Sequence, residues 1–265
     1  MKNKDNIKIH TIDDFAGMHK AGLIAAKTLD YITPFVKVGV STGELDKLIE
    51  DFVVKSGAKS ATIGYHGYKH ASCISINHVI CHGIPDFERK LVDGDILNID
   101  VTVIVDGWFG DTSRMYYAGN PKIKAKKLCD VTYECLMRSI DEVKEGKHLG
   151  DIGYVIADTA HKYGYSVVEM FCGHGLGKVF HDEPQVLHFG KRGTGPVLEE
   201  GMFFTIEPMI NIGKKEGIIL KDGWTSVTRD KSLSAQFEHS LGVTKDGAEI
   251  FTLSPKGLNR PGYDY

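Results

Sequence analysis

The stretch NIDVTVIVDGWFGDTS, residues 98–113, decides how this 265-residue chain is read. Asp106-Gly107 separates two runs rich in β-branched and aromatic residues, a strong short-range signal for a two-residue hairpin turn. That turn fixes the register, so that Val105 opposes Trp108 and Asp100 opposes Ser113. Asp111 then falls on the same sheet face as Asp100, one diagonal step away, at roughly 7–8 Å between Cα atoms. A carboxylate buried in an Ile/Val strand is costly without a partner. Two of them on one face need a shared counter-charge.

Apolar residues at helical spacing predict a helix over 13–33, capped by an Asp and stopped by Pro34. A second runs over 42–57, from Thr42 to Gly57. The segment 64–67 and those near 72–84 and 91–117 read as short strands with turns. The pattern then recurs. Helices are predicted over 122–145 and 149–164, followed by strand-like segments near 166–172, 201–210, 216–220 and 235–243. LVDGDILNID (91–100) resembles LEEGMFFTIE (198–207), with Gly94 matching Gly201 and Asp100 matching Glu207. His82 in CHGI and His174 in GHGL hold similar places upstream of those acids. A duplicated half predicts pseudo-twofold symmetry with a site at the seam; two unrelated αβ segments are the alternative.

Three more residues join the two aspartates as candidate metal ligands. His174 lies in CGHGLG (172–177), whose glycines let the backbone approach a ligand closely. A phosphate loop is excluded there, because the Gly-Lys spacing is wrong and Val179 follows Lys178. Glu207 sits between an apolar run and Pro208 in FTIEPM (204–209). Glu238 lies in QFEHSL (236–241), where alternation places Gln236, Glu238 and Ser240 on one face, against Phe237 and His239. A lone histidine or acid is more often structural than catalytic. Four carboxylates and one imidazole in such contexts suit a pair of hard or borderline divalent ions, not a thiolate zinc site. His82 and His181 are candidates of another kind, since imidazoles beside a metal site can donate to a developing oxyanion or shuttle protons. His66, His70, His161 and His188 read as structural or surface residues.

Composition narrows the setting. The chain is 42% hydrophobic and 25% charged, with a net charge of −3, which gives no reason to expect nucleic acid or an anionic membrane as partner. No apolar run approaches the ~20 residues that span a bilayer, and no secretory h-region follows the first ten residues. The five cysteines form no CxxC and read as reduced thiols of a cytoplasmic protein.

The motifs converge. With GYHGY (64–68), SINHVICHGIP (75–85), GHGLG, FHDEPQV (180–186), TIEPM, KDGW (221–224) and LSAQFEHS (233–240), the chain resembles the type I methionine aminopeptidases from about residue 12 to 253. These are metal-dependent enzymes that remove the initiator methionine from new proteins. The resemblance implies an α/β (α+β) "pita-bread" fold: one catalytic domain over 1–265, its pseudo-twofold halves near 12–120 and 121–253, with a central antiparallel sheet covered by helices. It implies two divalent ions held by Asp100, Asp111, His174, Glu207 and Glu238, with Asp111 and Glu238 shared. It places His82 and His181 against substrate, and Tyr65, Tyr68, Cys73, Phe180 and Trp224 in a methionine pocket. Asn77, Val79 and Ser234 match a monovalent-cation site. Thr62 stands where the family often has Cys, and 213–221 (GKKEGIILK) departs from the usual approach loop.

The implied reaction has Glu207 taking and returning a proton, His181 binding the oxyanion and His82 contacting the leaving nitrogen. Nascent N-termini, at the ribosome or free, are the implied partners of a monomeric, bacterial-type enzyme that requires a small second residue. Rival readings are an Xaa-Pro peptidase or creatinase-like hydrolase, disfavoured by length, and a non-enzymatic relative, disfavoured by the full ligand set.

Overall fold

A computed structural model describes residues 1–263. Its first half holds α1 (Ile12–Ile32), α2 (Thr42–Lys55), β1 (Lys59–Ser60), β2 (Cys73–Ile76), β3 (Val79–Cys81), β4 (Ile96–Val105) and β5 (Trp108–Tyr117). The second holds α3 (Ile123–Ile140), α4 (Leu149–Lys162), β6 (Ser166–Val167), β7 (Gly173–Gly175), β8 (Asp182–Val186), β9 (Phe203–Ile206), β10 (Met209–Asn211), β11 (Gly217–Ile219), β12 (Ser226–Thr228), β13 (Ser234–Gln236), β14 (His239–Val243) and β15 (Ala248–Ile250). Every described pairing between these strands is antiparallel.

The hairpin forms as its turn requires. Asp106 and Gly107 both adopt positive φ (51° and 82°), the conformation of a primed turn, and Val105 pairs with Trp108. Ten-residue strands result, longer than the short strands expected, because each buries nearly every position against helices or the other half. Elsewhere the boundaries shift. Thr11 caps α1, with Asp14 accepting its backbone N–H, and Ser41 caps α2 in a box with Glu44. Residues 65–67 make a 3-10 turn, and the strand-like segment 72–84 splits at the left-handed Asn77 into β2 and β3. The short strands β1, β8, β12 and β15 carry little apolar alternation, and the sequence reading passes over them.

The repeat has a structural counterpart. Gly94 and Gly201 both sit at positive φ (93° and 89°), each just before the strand that leads to its acid. β4 runs between β2 and β5; β9 runs between β7 and β14. The histidines match less well: His174 lies within β7, whereas His82 follows β3 in a left-handed conformation outside any ladder. Two core clusters follow the halves in the main, with Phe203 and Phe251 joining the first and Ile96 and Met115 the second. Phe15, Met18, Leu29 and Ile49 pack with Ile99, Val101 and Val103 in the first; Leu128, Leu136, Ile152 and Ile156 pack with Phe204, Phe237 and Leu241 in the second. The seam is closed by a bridge between Ser113 of β5 and Glu238, and by the Thr112 hydroxyl donating to the Glu238 carbonyl at 2.7 Å.

A buried ion pair ties α1 to this seam. Arg114 donates to Asp30 at 2.8 Å, both 3% exposed, and Asp30 also accepts the Ser254 hydroxyl. Truncating one partner strands the other's charge in a low-dielectric site. Asp30→Ala is expected to lower the stability measured by urea unfolding by about 3–5 kcal/mol; a loss below ~1 kcal/mol would show that the pair is dispensable.

Candidate metal centre

A cavity of about 610 Å³ is lined by residues from both halves, among them all five carboxylate and imidazole candidates. Asp100 comes from β4 and Asp111 from β5. Their registers, Asp100 opposite Ser113 and Asp111 opposite Thr102, put both on one face as the hairpin requires. His174 comes from β7. Glu207 follows the end of β9 at the bend imposed by Pro208, and Glu238 occupies the break between β13 and β14. Ligand atoms of Asp111, His174 and Glu238 lie within 4.8 Å of one another. His174 Nε2 also stands 3.7 Å from Glu207 and 3.4 Å from Asp111.

The electrostatics expose the shortage of positive charge. Burial, then the charges of Asp111 and Glu207, push the Asp100 carboxyl well up; burial and Asp111 do the same to Glu238. Burial raises Glu207 to about 7, against the pull of His174 and with the push of Asp111. Burial opposes charge on His174, but its bond to Asp111 and the nearby Glu207 carry it up to about 9. No lysine or arginine lines the cavity among the described residues. Carboxylates that destabilise each other's ionised forms are the signature of a site completed by a cation. The donor set, carboxylate oxygens with one imidazole, fits a hard or borderline divalent ion. Cys73 and Cys81 line the cavity too, burial and then the neighbouring acids pushing their thiols up, but neither belongs to the Asp111, His174 and Glu238 group.

Supporting contacts orient these groups. His174 Nδ1 lies 3.0 Å from the Gly175 carbonyl; donation there turns the Nε2 lone pair toward the acids. Thr102 donates to Asp111 at 2.7 Å. Thr205 donates to Glu207 at 2.8 Å while accepting the His174 backbone N–H at 3.0 Å, and the Gln236 amide reaches the other Glu207 oxygen at 3.3 Å. The sequence reading missed Thr205 and Gln236 as site residues, although each lies two positions before its acid and so shares its strand face.

The substrate-side candidates line the same cavity. His181 is stacked on Phe180 (centroids 4.1 Å), and its Nδ1 lies 2.8 Å from the Tyr65 hydroxyl. Burial, then His174, lowers His181 to about 4, so the ring is neutral near pH 7. With Tyr65 donating to Nδ1, the ring proton resides on Nε2. His82, lowered by burial, meets Phe171 edge-on at 5.3 Å. Tyr68 packs against Trp224 at 4.9 Å and Tyr65 against Phe180 at 4.8 Å. The Tyr68 hydroxyl donates to the Ser72 carbonyl at 2.9 Å, its polar end satisfied in the wall. Cys73 and Thr62 complete this side. Asn77, Val79 and Ser234 lie outside the cavity: Ser234 N–H donates to the Asn77 carbonyl at 2.9 Å, and the buried Ser234 hydroxyl has no hydrogen-bond partner among the described residues.

Known proteins resemble the chain in sequence and in fold. The methionine aminopeptidase of Rickettsia prowazekii is 57% identical over 258 residues, covering 97% of this chain and 99% of that one. The crystal structure of a methionine aminopeptidase from the same organism superposes with a TM-score of 0.92 over 93% of this chain and all of its own. A prolidase from Pyrococcus furiosus, 23% identical, shares the fold at a TM-score of 0.75 but is only 66% covered. The pattern of metallopeptidase family M24 matches residues 16–245. The fold is accordingly the pita-bread fold, and the chain belongs to metallopeptidase family M24.

Proposed function

We propose that this metal-dependent hydrolase removes the N-terminal methionine of polypeptides whose second residue is small, acting on nascent chains in the cytoplasm as a single catalytic domain. The observation that carries the reading is the junction of the acid-and-imidazole cluster with an aromatic slot in one cavity. Asp100, Asp111, His174, Glu207 and Glu238 would hold two divalent ions, manganese, iron, cobalt or zinc according to supply. When bound, such ions polarise a carbonyl and lower the pKa of a water toward neutrality.

The chain's own residues supply the rest. Tyr65, Tyr68, Cys73, Phe180 and Trp224 form an apolar slot suited to a flexible thioether. Glu207, fixed by Thr205 and Gln236, takes the proton of the attacking water and delivers it to the departing amine. His181 presents its Nε2 proton to the tetrahedral oxyanion, and His82 contacts the nitrogen being released. The orphaned Ser234 hydroxyl supports a monovalent cation held with Asn77 and Val79.

Cleavage of Met-Ala-Ser, with neither Met-Leu-Ser nor Gly-Pro cleaved, tests the reading; preference for Gly-Pro would replace it with an Xaa-Pro peptidase. Glu207→Gln is expected to lower kcat by at least ~10²–10⁴-fold while the protein stays folded by circular dichroism. Substantial residual turnover would remove Glu207 from the proton-transfer role.

The same variant gives a pH test. Metal-free, the folded protein retains the Glu207 proton to about pH 7, whereas the unfolded chain releases it near the ordinary 4.5. The penalty for ionising Glu207 is thus absent below the unfolded value and complete above the folded one, so it develops as pH rises. Gln carries no such penalty. In EDTA, the melting temperature of Glu207→Gln should gain on the parent between pH 5 and pH 7.5; a constant gap contradicts the crowding.

A further inference from the structure

Glu207 is held from three directions, and the third involves a residue with no part in the chemistry described so far. Its carboxylate is bonded by Thr205 and Gln236, and its backbone N–H donates to Nε2 of His188 at 3.3 Å. His188 is fully buried, in the segment after β8. α4 presses on this segment, since a side chain at Gly153 would stand 2.4 Å from the Phe189 carbonyl oxygen and 2.7 Å from that of Leu187. The imidazole is therefore carried on a rigid support.

The bond fixes the tautomer. A ring nitrogen that accepts a hydrogen bond carries no proton, so His188 has its hydrogen on Nδ1. That atom is buried with no hydrogen-bond partner among the described residues. An unmatched buried donor is unfavourable, and stability alone would be served as well by an apolar side chain. What the imidazole contributes is the acceptor. Glu207 lies directly before Pro208, which has no N–H, and just beyond the last residue of β9. The strand ladder thus ends where this carboxylate must be placed, and His188 takes over as anchor of the peptide.

We propose that His188 is a positioning residue for Glu207: by accepting its backbone N–H it fixes the peptide from which the carboxylate reaches the metal centre and the reacting water. The proposal rests on the role given to Glu207 above. Outer partners of this kind typically contribute 10–100-fold to metal affinity or activity. A glutamine amide oxygen at position 188 reaches as far as Nε2 and can accept the same bond; an aliphatic side chain cannot.

The test compares His188→Leu with His188→Gln in the full-length protein. Mn²⁺ affinity is measured by calorimetry on metal-stripped samples, kcat and KM on Met-Ala-Ser, and melting temperature in EDTA. His188→Leu should weaken Mn²⁺ binding or lower kcat by 10–100-fold with KM changed less than threefold, while His188→Gln stays within about threefold of the parent. Leu removes the unmatched Nδ1 donor as it orphans the Glu207 N–H, so the two variants should melt within a few degrees of each other. If His188→Leu does not fold, His188→Ala replaces it. Parent-like Mn²⁺ affinity and kcat in the aliphatic variant, or equal impairment in His188→Gln, overturns the proposal. The affinity comparison stands even if Met-Ala-Ser proves not to be a substrate, which separates failure here from failure of the functional reading.

Discussion

Mutual repulsion among carboxylates crowded into one cavity, Asp111 and Glu238 buried and Asp100 and Glu207 nearly so, is the constraint on which the rest of this structure depends. Asp100, Asp111, Glu207 and Glu238 line one cavity with a single imidazole and no lysine or arginine among the described residues. Such an arrangement survives folding only when the backbone leaves the groups no alternative position. The means are visible. Two long strands are locked by a primed turn, the seam is stitched by the Ser113–Glu238 bridge, and the hydroxyls of Thr102, Thr112, Thr205 and Ser240 bond acids or their peptides. The two cores provide the stability, and the seam between them tolerates the charge.

What was legible in the sequence follows from how local the signal was. Asp106-Gly107 encodes a turn and therefore a register, and register decides which face a carboxylate occupies, so Asp100 and Asp111 could be placed together from sixteen residues of sequence. The Gly94/Gly201 repeat was legible because only glycine settles cheaply at positive φ. The four helices were marked by apolar spacing, but their ends were misplaced, α3 stopping at Ile140 rather than 145. Thr11 and Ser41 stand one residue outside the periodic pattern, where hydrogen bonding rather than burial decides.

The remainder was hidden because it is non-local. β8, β12 and β15 are defined by the neighbours they pair with, not by their own alternation. Nothing near His188 signals that its ring meets the Glu207 peptide nineteen positions on. The family resemblance brought His82, His181 and the pocket aromatics into view together, where a single imidazole could not be told from a structural or surface one. Thr205 and Gln236 occupy the middle ground: the strand period placed them on the face of the acids, but polarity alone did not distinguish a buried bond from a solvated one.

The seam also bears on how the protein acquires its ions. Thr112 and Glu238, which bond across it, are 126 residues apart in sequence, and contacts of such separation form late because loop closure must come first. A polypeptide emerging from synthesis passes through most of its collapse with the donor atoms dispersed. A site of that kind would be complete only once the two halves have met, and which divalent cation it then took would follow the surrounding supply as much as ligand chemistry.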